Sequence, residues 1–183
     1  DPGIDPLPFS ALTFAQFALP FTASVALIGS LFQERMMPYW VRRAVAQLDG
    51  HHVIIGHGEL GKRLASELVD AGSTVLAVDL SAQTARMAER FFVLQHNAMQ
   101  PTLMGEANFG RAVAIYLLLP NERDNLALLD AIVADVNELQ KSPKIHVRYQ
   151  SRHLGQMLAD LAGHKAGAAR SSLDIRPFNP FDL

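Results

Sequence analysis

The chain has 183 residues, a length that as a prior holds one domain of ordinary size plus an appendage. A net charge of −2 gives no electrostatic reason to bind nucleic acid, and the absence of cysteine excludes disulfides, thiolate nucleophiles and cysteine-based metal sites. Hydrophobic residues reach 49% against 19% charged, an apolar excess that must be local.

The excess opens the chain. No charged residue falls between Pro6 and Gln33, and Ala11 to Phe32 is long enough as a helix to cross a bilayer's hydrocarbon core, so a transmembrane helix is expected there. Gln16, Thr13, Pro20, Thr22 and Ser24 weaken the run, and an apolar helix packed on protein is the alternative. A signal peptide would start basic, whereas Asp1 and Asp5 lead here. Arg35, Arg42 and Arg43 follow the run, so the positive-inside bias places what comes after on the cytoplasmic side of a membrane. Tyr39 and Trp40 suit either a membrane interface or a plug onto the next domain. The abrupt start at Asp1 and the end in Phe181-Asp182-Leu183 read as those of a fragment.

A short connector helix is expected from Val41 to Leu48, with Gly50 as its stop. This divides the chain into an apolar helix with a basic connector (1–49), an α/β domain (50–175) and an extended tail (176–183) whose two prolines forbid a regular helix. After Gly50, short β-branched runs alternate with longer amphipathic stretches. The runs are His52 to Ile55, Thr74 to Val78, Phe91 to Gln95, Val113 to Leu118, Ile145 to Tyr149 and, weakly, Ala168 to Ile175. Nearly continuous apolar runs such as Val75-Leu76-Ala77-Val78 suit strands buried on both faces. The expected fold is therefore α/β: a Rossmann-like, doubly wound, mostly parallel six-stranded sheet with helices on both faces, preceded by the apolar helix. Leu60, Leu64 and Leu68 mark one helix, and Leu126, Leu129, Val133 and Val136 another.

Chemistry concentrates in Gly56-His57-Gly58-Glu59-Leu60-Gly61, between a predicted strand and a predicted helix. Gly56 makes the tight turn, Gly58 lets the backbone approach a pyrophosphate, and Gly61 lets the helix lie against the sheet. The anion meets free N–H groups at the helix N-terminus. Asp79, followed by Leu80, ends the second run, where a carboxylate accepts ribose hydroxyls and repels a 2′-phosphate, favouring NAD or an adenosine nucleotide over NADP. The bland reading makes the glycines packing devices and Asp79 a cap. His57 and Glu59 sit within the turn and either face the ligand or point to solvent. Leu119-Pro120-Asn121 ends the fourth run, in a position to line the crevice; Asn121 suits helix capping better than ligand contact, and Asn125 is the other asparagine in reach. The seven histidines lack zinc-helix spacing, and no proton-transfer residue or nucleophile elbow is placed by motif, so no metal and no catalytic residue is assigned.

These residues, His52 to Ile55, the glycine turn and Val78-Asp79, after an apolar segment and a basic connector, make the chain resemble the RCK/KTN (TrkA-N) nucleotide-binding domains that regulate potassium channels and transporters. The resemblance runs from Leu48 to Leu173 and includes Leu119-Pro120-Asn121 through Asn125 and Ile145-His146-Val147-Arg148. Where the family has Gly-Asp-Ala-Thr, this chain reads Gln95-His96-Asn97-Ala98-Met99, which puts Asn97 beside the adenosine in place of the customary acid. The resemblance implies a cytoplasmic, membrane-associated regulatory domain binding NAD(H), with AMP or ATP as other candidates. It implies a homodimer or higher homo-oligomer whose ligand-dependent rearrangement gates a membrane pore or transporter subunit, in the same full-length chain or a separate one. The alternatives are the cofactor domain of an NAD-dependent oxidoreductase and an assembly platform without ligand.

Overall fold

The computed structural model describes residues 7–81, 86–135, 142–151, 153–158 and 174–179. Helix α1 (Leu7–Leu31) runs through a π-helical turn (Phe32–Met36) into α2 (Met37–Val45). The interruption falls where Pro38, near the start of α2, has no N–H to continue the regular ladder. Phe14, Phe17, Leu19, Phe21, Ile28 and Leu31 are all exposed. The transmembrane expectation is corrected here: among the described residues no helix is long and apolar enough to cross a membrane. Gln16, Pro20 and the hydroxyl residues dilute the run, although Thr22, Ser24 and Ser30 turn their hydroxyls back onto helix carbonyls at 2.7 to 2.9 Å.

Beyond α2 the chain builds β1 (His52–Ile55), α3 (Glu59–Asp70), β2 (Val75–Asp79), β3 (Arg86–Met87), β4 (Phe91–Gln95), α4 (Leu103–Glu106), a 3-10 turn (Phe109–Arg111), β5 (Ala114–Leu117), α5 (Glu122–Ala134), β6 (Lys144–Arg148), a helical stretch over 153–158 and β7 (Asp174–Phe178). The strands form one sheet in the order β3-β4-β2-β1-β5-β6-β7, every pair parallel except β3 with β4. Without the short antiparallel β3 this is the six-stranded doubly wound order expected, with the order reversing beside β1. β3 is the strand not expected, and it occupies part of a link between β2 and β4 that contains no helix among its described residues.

Of the expected last run, Ala168 to Ile175, the described residues Asp174 and Ile175 fall in β7, which continues through Arg176, Pro177 and Phe178 as part of the sheet instead of a tail. Residues 159–173 and 180–183 lie outside the described residues, with most of that run and the end of the tail. Pro177 is tolerated because β7 is an edge strand, where a missing N–H need not leave a ladder bond unmade.

The two faces are covered unequally. On one, Val53, Ile55, Leu76, Leu94, Ile115 and Val147 form a core with Leu103, Phe109, Leu129, Ile132, Leu154 and Leu158. Val41 and Val45 of α2 join it fully buried, one helical turn apart, so the core reaches back across the boundary expected at Gly50. Tyr39 and Trp40 stay exposed and meet each other edge-on. On the other face α3 covers Ile54, Val75 and Leu118 through Leu60, Leu64, Ala65, Leu68 and Val69.

Next to α3, among the described residues, the second face carries a cavity lined by Tyr116, His146 and Phe178. Tyr116 lies between two histidines, stacked on His146 with ring centroids 4.6 Å apart and on His52 at 6.0 Å, with His52 Nδ1 3.3 Å from its hydroxyl. Burial lowers the pKa of His52; burial and then the Arg176 charge lower that of His146. An imidazole held below its ordinary value binds fewer protons folded than unfolded, so its stabilisation is present above about pH 6.5 and declines below it. The melting temperature is expected to fall from about pH 7.5 to about pH 5.5. The fall should be smaller in His146→Gln, and melts of both proteins across that range check it; equal slopes would refute the assignment.

Candidate nucleotide site

At the carboxyl end of the sheet, between β1 and its neighbours, a cavity of about 390 Å³ opens, within the range of small-ligand sites. Its floor is the glycine turn. Gly56 has φ +98, and a Cβ there would press within 3.0 Å of the Leu118 backbone. A Cβ on Gly61 would collide with the carbonyl oxygen of Gly56, so this glycine is what lets α3 start against the turn. Gly58 differs: a Cβ would meet nothing and would project into open space. Gly58 is also the N-cap of α3 and carries no capping side chain. The first-turn amides are thereby left for an acceptor from outside, the condition an anion site at a helix N-terminus requires.

Asp79 closes the turn from the side of β2. Its Oδ2 accepts the His57 N–H at 2.7 Å, and its Oδ1 accepts the Ser81 N–H at 2.7 Å and the Ser81 hydroxyl at 2.5 Å. Burial pushes this carboxyl upward, but the bonds from Ser81 and His57 outweigh it and hold the group below the usual range, ionised at neutral pH. Asp79 thus stands beside the glycine turn and also ties down Ser81 after β2, where no helix follows among the described residues.

Gly56, Gly58, Glu59, Leu60, Gly61, Asp79, Leu80, Asn97 and Pro120 all line the cavity. His57 does not line the cavity; its N–H bonds Asp79, and its ring lies 5.6 Å from that of Phe91 beside a separate pocket. Glu59 points outward and pairs with Lys62 at 3.4 Å. Asn121 does not line the cavity; it caps α5 by accepting the Arg123 N–H at 3.1 Å. Asn125 is buried and bonds Leu119 N and O and the Arg148 carbonyl, a clip that fixes the ends of β5 and β6 relative to each other. Asn97 turns its Oδ1 to the Met99 N–H at 3.0 Å.

Four polar residues of the cavity were not expected: Ser81, His96, Asp124 and Arg148. Arg148 stands at the end of β6, two strands from the glycine turn, and its Nε is buried without a hydrogen-bond partner among the described residues. A buried cation donor with no acceptor is costly, and an anionic ligand would supply one. No local pattern singled it out, since β6 reads Lys144-Ile145-His146-Val147-Arg148; only its place at the sheet end where this fold puts ligands does.

The model of the TrkA-N domain matches residues 52–168. The chain belongs to the TrkA-N domain family. A probable potassium channel protein of Methanocaldococcus jannaschii is 21% identical over 107 residues, covering 56% of this chain and 31% of that protein. The chain thus spans about a third of the length of this relative. Among solved structures, the NAD(P)-binding domain of an exopolyphosphatase-related protein from Archaeoglobus fulgidus aligns with a TM-score of 0.51 at 20% identity, over 72% of this chain and 89% of that one. GsuK bound to ADP aligns with a TM-score of 0.52 at 17% identity, over 92% and 42%. At such identities the structures share the fold with this TrkA-N domain.

Proposed function

We propose that this TrkA-N domain is the nucleotide-sensing regulatory part of a potassium channel or transport system, held at the cytoplasmic face of a membrane by the pore or transporter subunit it serves. The observation that carries the reading is the ionised Asp79 across from the uncapped first turn of α3. One offers acceptors to a ribose, the other offers donors to the phosphates attached to it. The carboxylate disfavours a 2′-phosphate, so NAD(H) is the proposed ligand, with AMP, ADP or ATP sharing the adenosine half.

A dinucleotide crossing the reversal of strand order would leave its second half between β5 and β6, where Arg148 and Asp124 stand. The relatives support this reading: one structure of the same fold holds ADP, another is an NAD(P)-binding domain, and the sequence relative is a probable potassium channel. The oxidoreductase alternative is not favoured by these matches. Regulation would follow from differential affinity: paired copies exist in two arrangements, and the nucleotide stabilises the one whose cavity fits it better. The apolar surface of α1 would be covered by the transport protein.

Calorimetric titration of the whole chain with NADH, NAD, ADP, AMP and ATP, with sedimentation of each mixture, tests the proposal. Saturable binding of NADH by an oligomer is the expected result; no heat with any of the five would overturn it.

A further inference from the structure

We infer that the crossover from β4 to β5, residues 96–111, reports occupancy of the nucleotide cavity to the connector helix α2 through Glu106 and Asn108. The inference rests on the nucleotide reading above and names the regulation of that site. His96 begins the crossover, lines the cavity and is almost fully buried. Its Nδ1 meets the Asn97 carbonyl at 2.9 Å, and its Nε2 lies 3.2 Å from the Thr102 hydroxyl and 3.6 Å from Glu106 Oε1. The other oxygen of Glu106 lies 3.2 Å from Nε of Arg42 on α2. One carboxylate thus lies between a ring at the cavity wall and the helix that continues into α1, in charge contact with Arg42 without a formed hydrogen bond.

The far end of the crossover holds the connector again. Asn108, in the left-handed conformation at φ 52, donates its side-chain N–H to the Leu48 carbonyl at 2.8 Å. Gly50 donates its N–H to the Arg111 carbonyl at 2.9 Å, and His51 Nε2 lies 3.1 Å from the Ala107 carbonyl. Between these ties Leu103, Ala107 and Phe109 are buried in the core. A segment anchored in this way moves as a unit or not at all, because packed cores deform poorly. A ligand seated against the rim formed by His96, Asn97 and Met99 therefore acts on α2 through the Glu106 carboxylate. Contiguity alone does not establish coupling, so the test must break the link without touching the cavity.

Hydrogen exchange of the whole chain with and without NADH makes that separation. In the parent protein NADH is expected to slow exchange at the glycine turn, residues 56–61, and also at residues 41–50 of the connector. The double variant Glu106→Gln with Asn108→Ala should bind NADH within about twofold of the parent and keep the protection of the turn, yet lose that of the connector. Arg42→Gln, on an exposed side chain, gives the same readout if the double variant does not fold. Connector protection that survives in the variants, or is absent from a parent whose turn is protected, overturns the inference. No protection of the turn in the parent removes the nucleotide reading itself, and this inference with it.

Discussion

Asp79→Ala is expected to weaken NADH binding by about 100-fold, the effect of deleting two charge-assisted hydrogen bonds to a ribose worth about 1.5 kcal/mol each. The change does more than remove an acceptor for the ligand. His57 N–H loses its partner in the turn, and Ser81 loses both of its bonds. Asp79→Asn separates the effects: its amide oxygen can still receive one N–H, while the charge is gone, so binding should fall to an intermediate level. Because the carboxyl is held below its usual range, its contribution is present at neutral pH and is lost only as pH falls through that depressed value. Calorimetry on the three proteins at neutral pH checks the series, and an alanine variant that binds as tightly as the parent would remove Asp79 from the site.

The glycines of the turn provide the second large effect, and it divides by position. Gly61→Ala places a methyl group on the Gly56 carbonyl oxygen, a clash of backbone against side chain that no rotamer relieves. A cost of about 3 kcal/mol or more is expected, read as a lower urea midpoint. Gly58→Ala meets nothing in the folded protein, so its urea midpoint should stay near that of the parent. Its methyl group instead occupies the space where a pyrophosphate would approach, and NADH binding should be lost. The reverse pattern, binding kept in Gly58→Ala, would mean that the phosphates do not lie on this turn.

What the sequence made legible was what local chemistry dictates. Thr74 to Val78 and Ala114 to Leu118 were readable as nearly continuous apolar runs because the sheet buries most of their residues on both faces. The turn was readable because its three glycines answer three steric demands within six residues. β7 was legible only over Asp174 and Ile175, because its remainder, Arg176-Pro177-Phe178, is half exposed and has no such run to betray it. β3 spans only two residues and pairs through tertiary context, below any periodic signal. Val41 and Val45 did carry the four-residue spacing of a buried helix face, but two residues beside three arginines and two aromatics read as a connector. Arg148 and His96 enter the cavity by the ordering of strands, which no local pattern encodes.

The burial of Val41 and Val45 has a practical side for anyone wishing to transplant this domain. A cut at the first strand would look tidy on the page, yet it would expose the apolar patch that those two valines close and leave Glu106 and Asn108 without their partners. The portable unit begins at α2, so a chimaera that keeps the recipient's own connector should misfold where one that imports α2 folds. Evolutionary exchange of this domain between proteins would face the same seam.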